Sequence, residues 1–137
     1  MKDVIIDTDI LSYYLKQYPN VVTNFDNHIK SNGYVYISRI TVIEILGGLK
    51  AKSAEKQIQK LKELISKHKI LDTTELSAEI SSTIFAELWN KGKHSGNYDI
   101  LIAGIAIANN LALVTNNTAD YEHIEHLDLL NWTLVID

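Results

Sequence analysis

The chain has 137 residues, of which 46% are hydrophobic and 22% charged, a balance that supplies one core and is expected to form a single domain over residues 1–137. It contains no cysteine, which excludes a disulfide framework, a thiolate zinc site and a cysteine nucleophile. The formal net charge of -4 argues against a simple basic nucleic-acid binder, although seven lysines lie between Lys50 and Lys69, whereas from His94 to Asp137 there is no Lys or Arg and there are six acids.

Taken in chain order, Val4-Ile5-Ile6 is a short apolar strand that ends at Asp7, and no signal-peptide pattern precedes it. Helices are predicted over residues 9–17 and 21–31, with Pro19 in the turn between them and Asn32-Gly33 as a further turn. Residues 34–37 are rich in β-formers and read as a strand. Thr41 is placed as the cap of a helix that runs toward Gly47-Gly48. Residues 53–67 are amphipathic, with Ile58, Leu61 and Ile65 on one face. Ile70-Leu71 is a brief strand, and residues 76–91 form a helix with Ile80, Ile84 and Leu88 aligned. Gly92 and Gly96 bracket a loop. The helix that opens at Asp99 is apolar all round to Ala108, so it is expected to be central; it is too short to span a bilayer. Residues 111–115 read as a buried strand and 134–136 as the last one.

Short apolar strands alternating with helices predict a three-layer α/β/α fold with a short, mostly parallel central sheet. Such sheets bind ligands beyond the carboxyl ends of their strands. Asp7 stands at one predicted strand end, and Asn116 and Asn117 at another.

Four acids occupy positions where a carboxylate is awkward. Asp7 follows Ile5-Ile6, Glu44 is flanked by Ile43 and Ile45, Asp99 opens the most apolar helix, and Asp120 follows the strand 111–115. Each has an ordinary structural reading as well. Asp7 and Asp9 fit turn or N-cap positions, Thr41-x-x-Glu44 fits a capping box, Asp99 fits a helix N-cap and Asp120 a turn. Their combination is the informative feature, because buried carboxylates need a partner and no Lys or Arg follows Lys93 to supply one locally. A divalent cation is one partner that holds several carboxylates together. With only hard oxygen donors available, Mg²⁺ or Mn²⁺ is favoured over zinc or copper. His123 and His126 have helical metal spacing but no third ligand nearby, and are read as exposed. The seven tyrosines and two tryptophans are read mainly as packing residues, with base stacking as the other use.

Asp7-Thr8-Asp9-Ile10-Leu11-Ser12 resembles the opening motif of PIN domains, D-T-[ND]-x-[LI]. Thr41-Val42-Ile43-Glu44-Ile45-Leu46-Gly47-Gly48 resembles the second, Tyr98-Asp99-Ile100-Leu101-Ile102-Ala103-Gly104-Ile105-Ala106 the third, and Leu113-Val114-Thr115-Asn116-Asn117-Thr118-Ala119-Asp120-Tyr121 the last. Leu127, Asn131 and Trp132 are similar to the tail of VapC-type toxins, with His126 where that tail has glycine. The likeness runs through essentially the whole chain, in order. It implies an Mg²⁺- or Mn²⁺-dependent endoribonuclease, the toxin of a toxin–antitoxin pair, with Asp7, Glu44, Asp99 and Asp120 as catalytic and metal-binding positions. Asp7 and Asp99 would be the main ligands, and Thr8, Ser12, Thr115, Asn116 and Asn117 would support them. Asn117 departs from the family, where many relatives carry an acid. Arg39 and the lysines between 50 and 69 would position the RNA backbone. The resemblance further implies a cytoplasmic homodimer held by a VapB-like antitoxin, and in Val114–Asn117 it is greatest to relatives that cut initiator tRNA.

Two other readings compete. A haloacid-dehalogenase-like phosphatase would use Asp7-Thr8-Asp9 and Val114-Thr115-Asn116, but it needs a lysine that the chain lacks after residue 93. A non-catalytic PIN-like module that binds RNA or a protein partner would not need all four acids.

Overall fold

A computed structural model describes residues 1–93 and 96–135. The elements are β1 (Val4–Ile6), α1 (Thr8–Leu15), α2 (Pro19–Asn32), β2 (Tyr36–Ser38), α3 (Arg39–Ala51), α4 (Glu55–Ser66), β3 (Lys69–Leu71), α5 (Glu75–Asn90), α6 (Asn97–Ala108), β4 (Ala112–Val114), α7 (Thr118–Tyr121) and β5 (Leu129–Leu130). The five strands form one sheet in the order β3-β2-β1-β4-β5, and every pairing is parallel.

A parallel sheet covered on both faces needs strands that are apolar throughout, and alternation then sends neighbouring residues to opposite layers. Val4 and Ile6 of β1, with Ala112 and Val114 of β4, pack into a core with Ile10 and Leu11 of α1, Val21 and Phe25 of α2, and Leu61 of α4. Ile5 and Leu113 face the other way, into a core formed with Ile84 and Leu88 of α5, much of α6, and Tyr121 of α7. The expected α/β/α layering is therefore present, and α6, with Ile102 and Ala103 fully buried, is central as its composition predicts.

Several boundaries differ from the sequence reading, each for a local reason. Pro19 is not in a turn but is the first residue of α2, where its missing N–H costs nothing. The cap of α3 is Ser38, whose Oγ accepts from Thr41 N at 3.0 Å; Thr41 lies inside the helix and the expected Thr41–Glu44 capping box does not form. α3 also continues past Gly47 and Gly48 to Ala51. Among the described residues the last strand is Leu129–Leu130, aligned with Leu113 and Val114, and Leu134 and Val135 of the expected strand 134–136 are in none. The carbonyls of Trp132 and Leu134 are taken instead by the Asn24 side-chain amide at 3.0 and 2.9 Å, and Ile136 lies outside the described residues.

In the sheet order, β1 is followed on one side by β2 and on the other by β4. This is the reversal point at which α/β sheets open a crevice beyond their carboxyl ends. Asp7 leaves β1 there, and Thr115 leaves β4.

Candidate active site

Asp7 is the N-cap of α1 and only 5% exposed. Its two oxygens take three donors: Thr8 N at 2.8 Å, Thr115 Oγ1 at 2.9 Å and the Tyr121 hydroxyl at 3.1 Å. The same hydroxyl lies 2.9 Å from Asp99 Oδ1, so one buried phenol joins the carboxylates of the first and third motifs. A phenol has a single proton and can donate to only one of them at a time.

Asp9, read from sequence as a cap or turn residue, belongs to the same group. Its Oδ1 accepts from Ile10 N at 2.7 Å and its Oδ2 from Asn116 N at 3.0 Å, which ties α1 to the loop after β4. Asn116 is fixed in turn by its side-chain oxygen, which accepts from Asn131 Nδ2 at 3.2 Å and Thr133 Oγ1 at 3.1 Å. Asn117 N donates to Thr115 Oγ1 at 3.1 Å.

Glu44, near the middle of α3, is reached through hydroxyls. Its Oε1 accepts from Thr8 Oγ1 at 2.8 Å; Thr8 Oγ1 lies 3.0 Å from Thr41 Oγ1, which accepts from Ser38 Oγ at 3.2 Å. Each hydroxyl has one proton, so the direction is forced: Ser38 donates to Thr41, Thr41 to Thr8, and Thr8 to the carboxylate. Such a chain polarises toward its charged end. Asp99 is in the first turn of α6, after the Gly96 cap, and is therefore not itself the cap. Asp120 sits in the first turn of α7 at the exposed rim.

The electrostatics follow from this crowding. Burial raises the Asp7 carboxyl above its ordinary range and the neighbouring charge of Asp9 adds to it, against the opposing hydrogen bonds. Burial also raises Asp9, with Asp99 contributing. Asp99 is raised by burial and then by the charges of Asp7 and Asp120, while the Tyr121 bond lowers it. Burial, followed by the two adjacent carboxylates, pushes the Tyr121 phenol well up. Lys2 pairs with Asp128 and Arg39 with Asp72, and neither of these cations touches Asp7, Asp9, Glu44 or Asp99.

A cluster of hard oxygens carrying uncompensated negative charge fits a divalent cation of the Mg²⁺ or Mn²⁺ type. In this conformation, however, no three of the described Asp, Glu or His side chains converge tightly enough to hold one ion at once.

A pH dependence follows. A carboxyl raised in the folded state favours folding below its unfolded value and loses that contribution as pH rises through the folded value. The charge penalty at Asp99 is thus full at neutral pH. In metal-free protein, any stability that Asp99→Asn gains over the native chain is expected to be largest at pH 7 and to fade toward pH 4. Taking this difference in urea midpoints cancels His28 and His68, which burial lowers and which oppose the trend. A difference that is flat across this range would contradict the raised carboxyl.

Other expected residues are elsewhere. Ser12 makes no side-chain hydrogen bond to these acids among the described residues. Arg39 is paired with Asp72 at 3.0 Å. Lys69 begins β3, at the opposite end of the parallel sheet from the acids, and lies over the Tyr34 ring at 4.2 Å. His126 is exposed as expected, but His123 is half-buried, and the two do not share a helix, since α7 ends at Tyr121 and His126 has φ 66°. Trp132 is a core residue, 3% exposed.

Residues 4–127 match the PIN domain family model. The chain belongs to the PIN-domain family. The match replaces the phosphatase reading of Asp7-Thr8-Asp9. This PIN domain is 34% identical over 128 residues to ribonuclease VapC2 of Rickettsia felis, covering 93% of this chain and 96% of that protein. It is 30% identical over 134 residues to the tRNA(fMet)-specific endonuclease VapC of Shigella flexneri, covering 97% and 100%. Among solved structures it is similar to VapBC2 from Rickettsia felis bound to a promoter DNA fragment, with TM-score 0.85 and 32% identity over 94% of this chain and 98% of that one. It is equally similar to DNA-bound VapBC from Salmonella typhimurium, with TM-score 0.85 and 31% identity over 96% and 99%.

Two site residues escaped the sequence reading. Asp9 was visible only as part of the D-x-D pattern, where a cap explains it equally well. Tyr121 carried no signal beyond its place after Asp120, because its partners are 114 and 22 residues away.

Proposed function

We propose that this PIN domain is a divalent-metal-dependent endoribonuclease, the toxin of a toxin–antitoxin pair, inhibited by a VapB-like antitoxin and active as a cytoplasmic homodimer. The observation that carries the reading is the joining of Asp7 and Asp99 at one phenol, beside Asp9 and Asp120, with no cationic side chain paired to Asp7, Asp9 or Asp99 among the described residues. The names of relatives matched over nearly their full length, ribonuclease and tRNA(fMet)-specific endonuclease, support RNA as substrate and make initiator tRNA the first to test. The solved VapBC complexes support a VapB-like partner.

Asp7 and Asp99 would hold Mg²⁺ or Mn²⁺, with Glu44 and Asp120 on the rim. The ion would activate a water for attack on phosphorus and stabilise the leaving oxygen. The chain's own contribution is orientation. Thr8 N and Thr115 Oγ1 fix the Asp7 carboxylate, and the Ser38–Thr41–Thr8 relay aims Glu44. Asn116 is locked by Asn131 and Thr133 at the mouth, with Asn117 beside it. Exposed lysines of α4, Lys56, Lys60 and Lys62, are available to phosphates, whereas Arg39 must first leave Asp72.

Cleavage of an initiator tRNA transcript is expected to stop in EDTA and return when Mn²⁺ is added in excess. Full cleavage in chelator would overturn the metal dependence. Absence of cleavage with Mn²⁺ on every RNA tried would favour a binding module instead.

A further inference from the structure

We propose that Tyr121 is a positioning residue whose buried hydroxyl sets the spacing of Asp7 and Asp99, and with it the tightness with which the site takes a divalent cation. The proposal rests on the metal-dependent reading above.

The two carboxylates are held very differently. Asp7 is fixed on both oxygens by Thr8 N and Thr115 Oγ1 in addition to the phenol. Asp99 accepts a single side-chain hydrogen bond among the described residues, the one from Tyr121. It is also only partly buried, whereas Asp7 is 5% exposed. Like charges at this range repel, and more strongly where water is excluded. The phenol dipole is what offsets that repulsion and keeps Asp99 turned toward Asp7.

The phenol itself cannot follow a moving carboxylate. Tyr121 is 1% exposed, and its ring is embedded among Ile5, Leu113 and the apolar face of α6. A rigid donor between one fixed and one movable carboxylate is a spacer. Carboxylate oxygens have lone pairs to spare, so Tyr121 can keep its bond while the opposite side of each group faces a cation. Hydrogen bonds behind metal ligands commonly govern affinity by one to two orders of magnitude. A buried phenol needs some partner in any case, so the role must be read from metal binding rather than from stability.

Tyr121→Phe removes the oxygen and leaves the ring. Titration calorimetry with Mn²⁺ is expected to show binding weakened about tenfold or more. The Mn²⁺ concentration giving half-maximal RNA cleavage should rise by the same factor, and excess Mn²⁺ should restore most of the native rate. The metal-free thermal midpoint is expected to stay within a few degrees of the native one. Equal or tighter Mn²⁺ binding by the variant, with the native protein binding normally, would overturn the spacer role and leave the metal-dependent reading intact. If the native chain itself bound no Mn²⁺, both would fall. A measurement on the native protein covers a variant that does not fold: the Tyr121 ¹³Cζ resonance should move on Mg²⁺ addition and saturate with a calorimetric titration of the native protein by Mg²⁺, and a resonance that does not move would overturn the proposal.

Discussion

Asp99→Asn is expected to lower RNA cleavage by on the order of 10³-fold at saturating Mn²⁺ while the fold is retained. The substitution is nearly isosteric, and the geometry makes it a clean one. Asp99 Oδ1 accepts from the Tyr121 hydroxyl, and an amide oxygen can accept in the same place. What disappears is a charge that Asp7 and Asp120 oppose. Metal-free protein should therefore unfold at an equal or higher temperature. A first-turn acid interacts favourably with its helix dipole, an effect of about 0.5 kcal/mol that works the other way and limits the gain. The stabilisation that Mn²⁺ gives the native chain should largely vanish in the variant, because the ion loses a principal ligand. Asp7→Asn makes the informative contrast. Thr8 N can only donate, so an amide must keep its oxygen there and turn its nitrogen to the Thr115 and Tyr121 hydroxyls, which would have to reorient to accept; with the charge lost as well, activity should fall and stability should not rise. Single-turnover cleavage with thermal unfolding separates the two cases. Cleavage by Asp99→Asn within tenfold of native would remove Asp99 from the metal site.

What could be read from the sequence was what local composition decides. Val4–Ile6 and Ala112–Val114 are buried on both faces, so their continuous apolar runs identify parallel strands and place Asp7 and Thr115 at their ends. The all-round apolar character of residues 100–108 located the central helix for the same reason. The remainder depended on contacts between distant segments. Ser38 and Thr41 are both good caps, and only the end of β2 decides between them. Asp9 looks like a cap because its second partner, Asn116 N, is 107 residues away. Leu134-Val135-Ile136 has the stronger β composition, yet Asn24 claims the neighbouring carbonyls and the two-residue Leu129–Leu130 pairs with β4 instead. Asp7 and Asp99 could be singled out as awkwardly placed acids, whereas the phenol that lies between them could not.

Gly104→Ala is expected to destabilise the domain by roughly 2 kcal/mol, lowering the thermal midpoint by about 5 °C, and to weaken the site as well. Gly104 is on the face of α6 that meets α5. A Cβ there would lie 2.0 Å from Ser81 Oγ, 2.7 Å from the Ser77 backbone oxygen and 3.2 Å from Ser81 Cβ. The serine hydroxyl can rotate, at the loss of its 3.0 Å bond to the Ile100 carbonyl. The Ser77 carbonyl belongs to α5 and cannot move without the helix. Alanine gains about 1 kcal/mol of helix propensity over glycine, so a net loss means that the steric term has won. Relief requires α5 and α6 to separate, and α6 carries Asp99 in its first turn. A shift of that helix moves Asp99 away from Asp7 and the fixed Tyr121 hydroxyl, so weaker Mn²⁺ binding should accompany the lower midpoint. Adding Ser81→Ala to Gly104→Ala removes the 2.0 Å contact but not the one to the Ser77 carbonyl, and should restore only part of both losses. A Gly104→Ala domain as stable as the native one would show that the two helices are not held at the spacing on which the position of Asp99 depends.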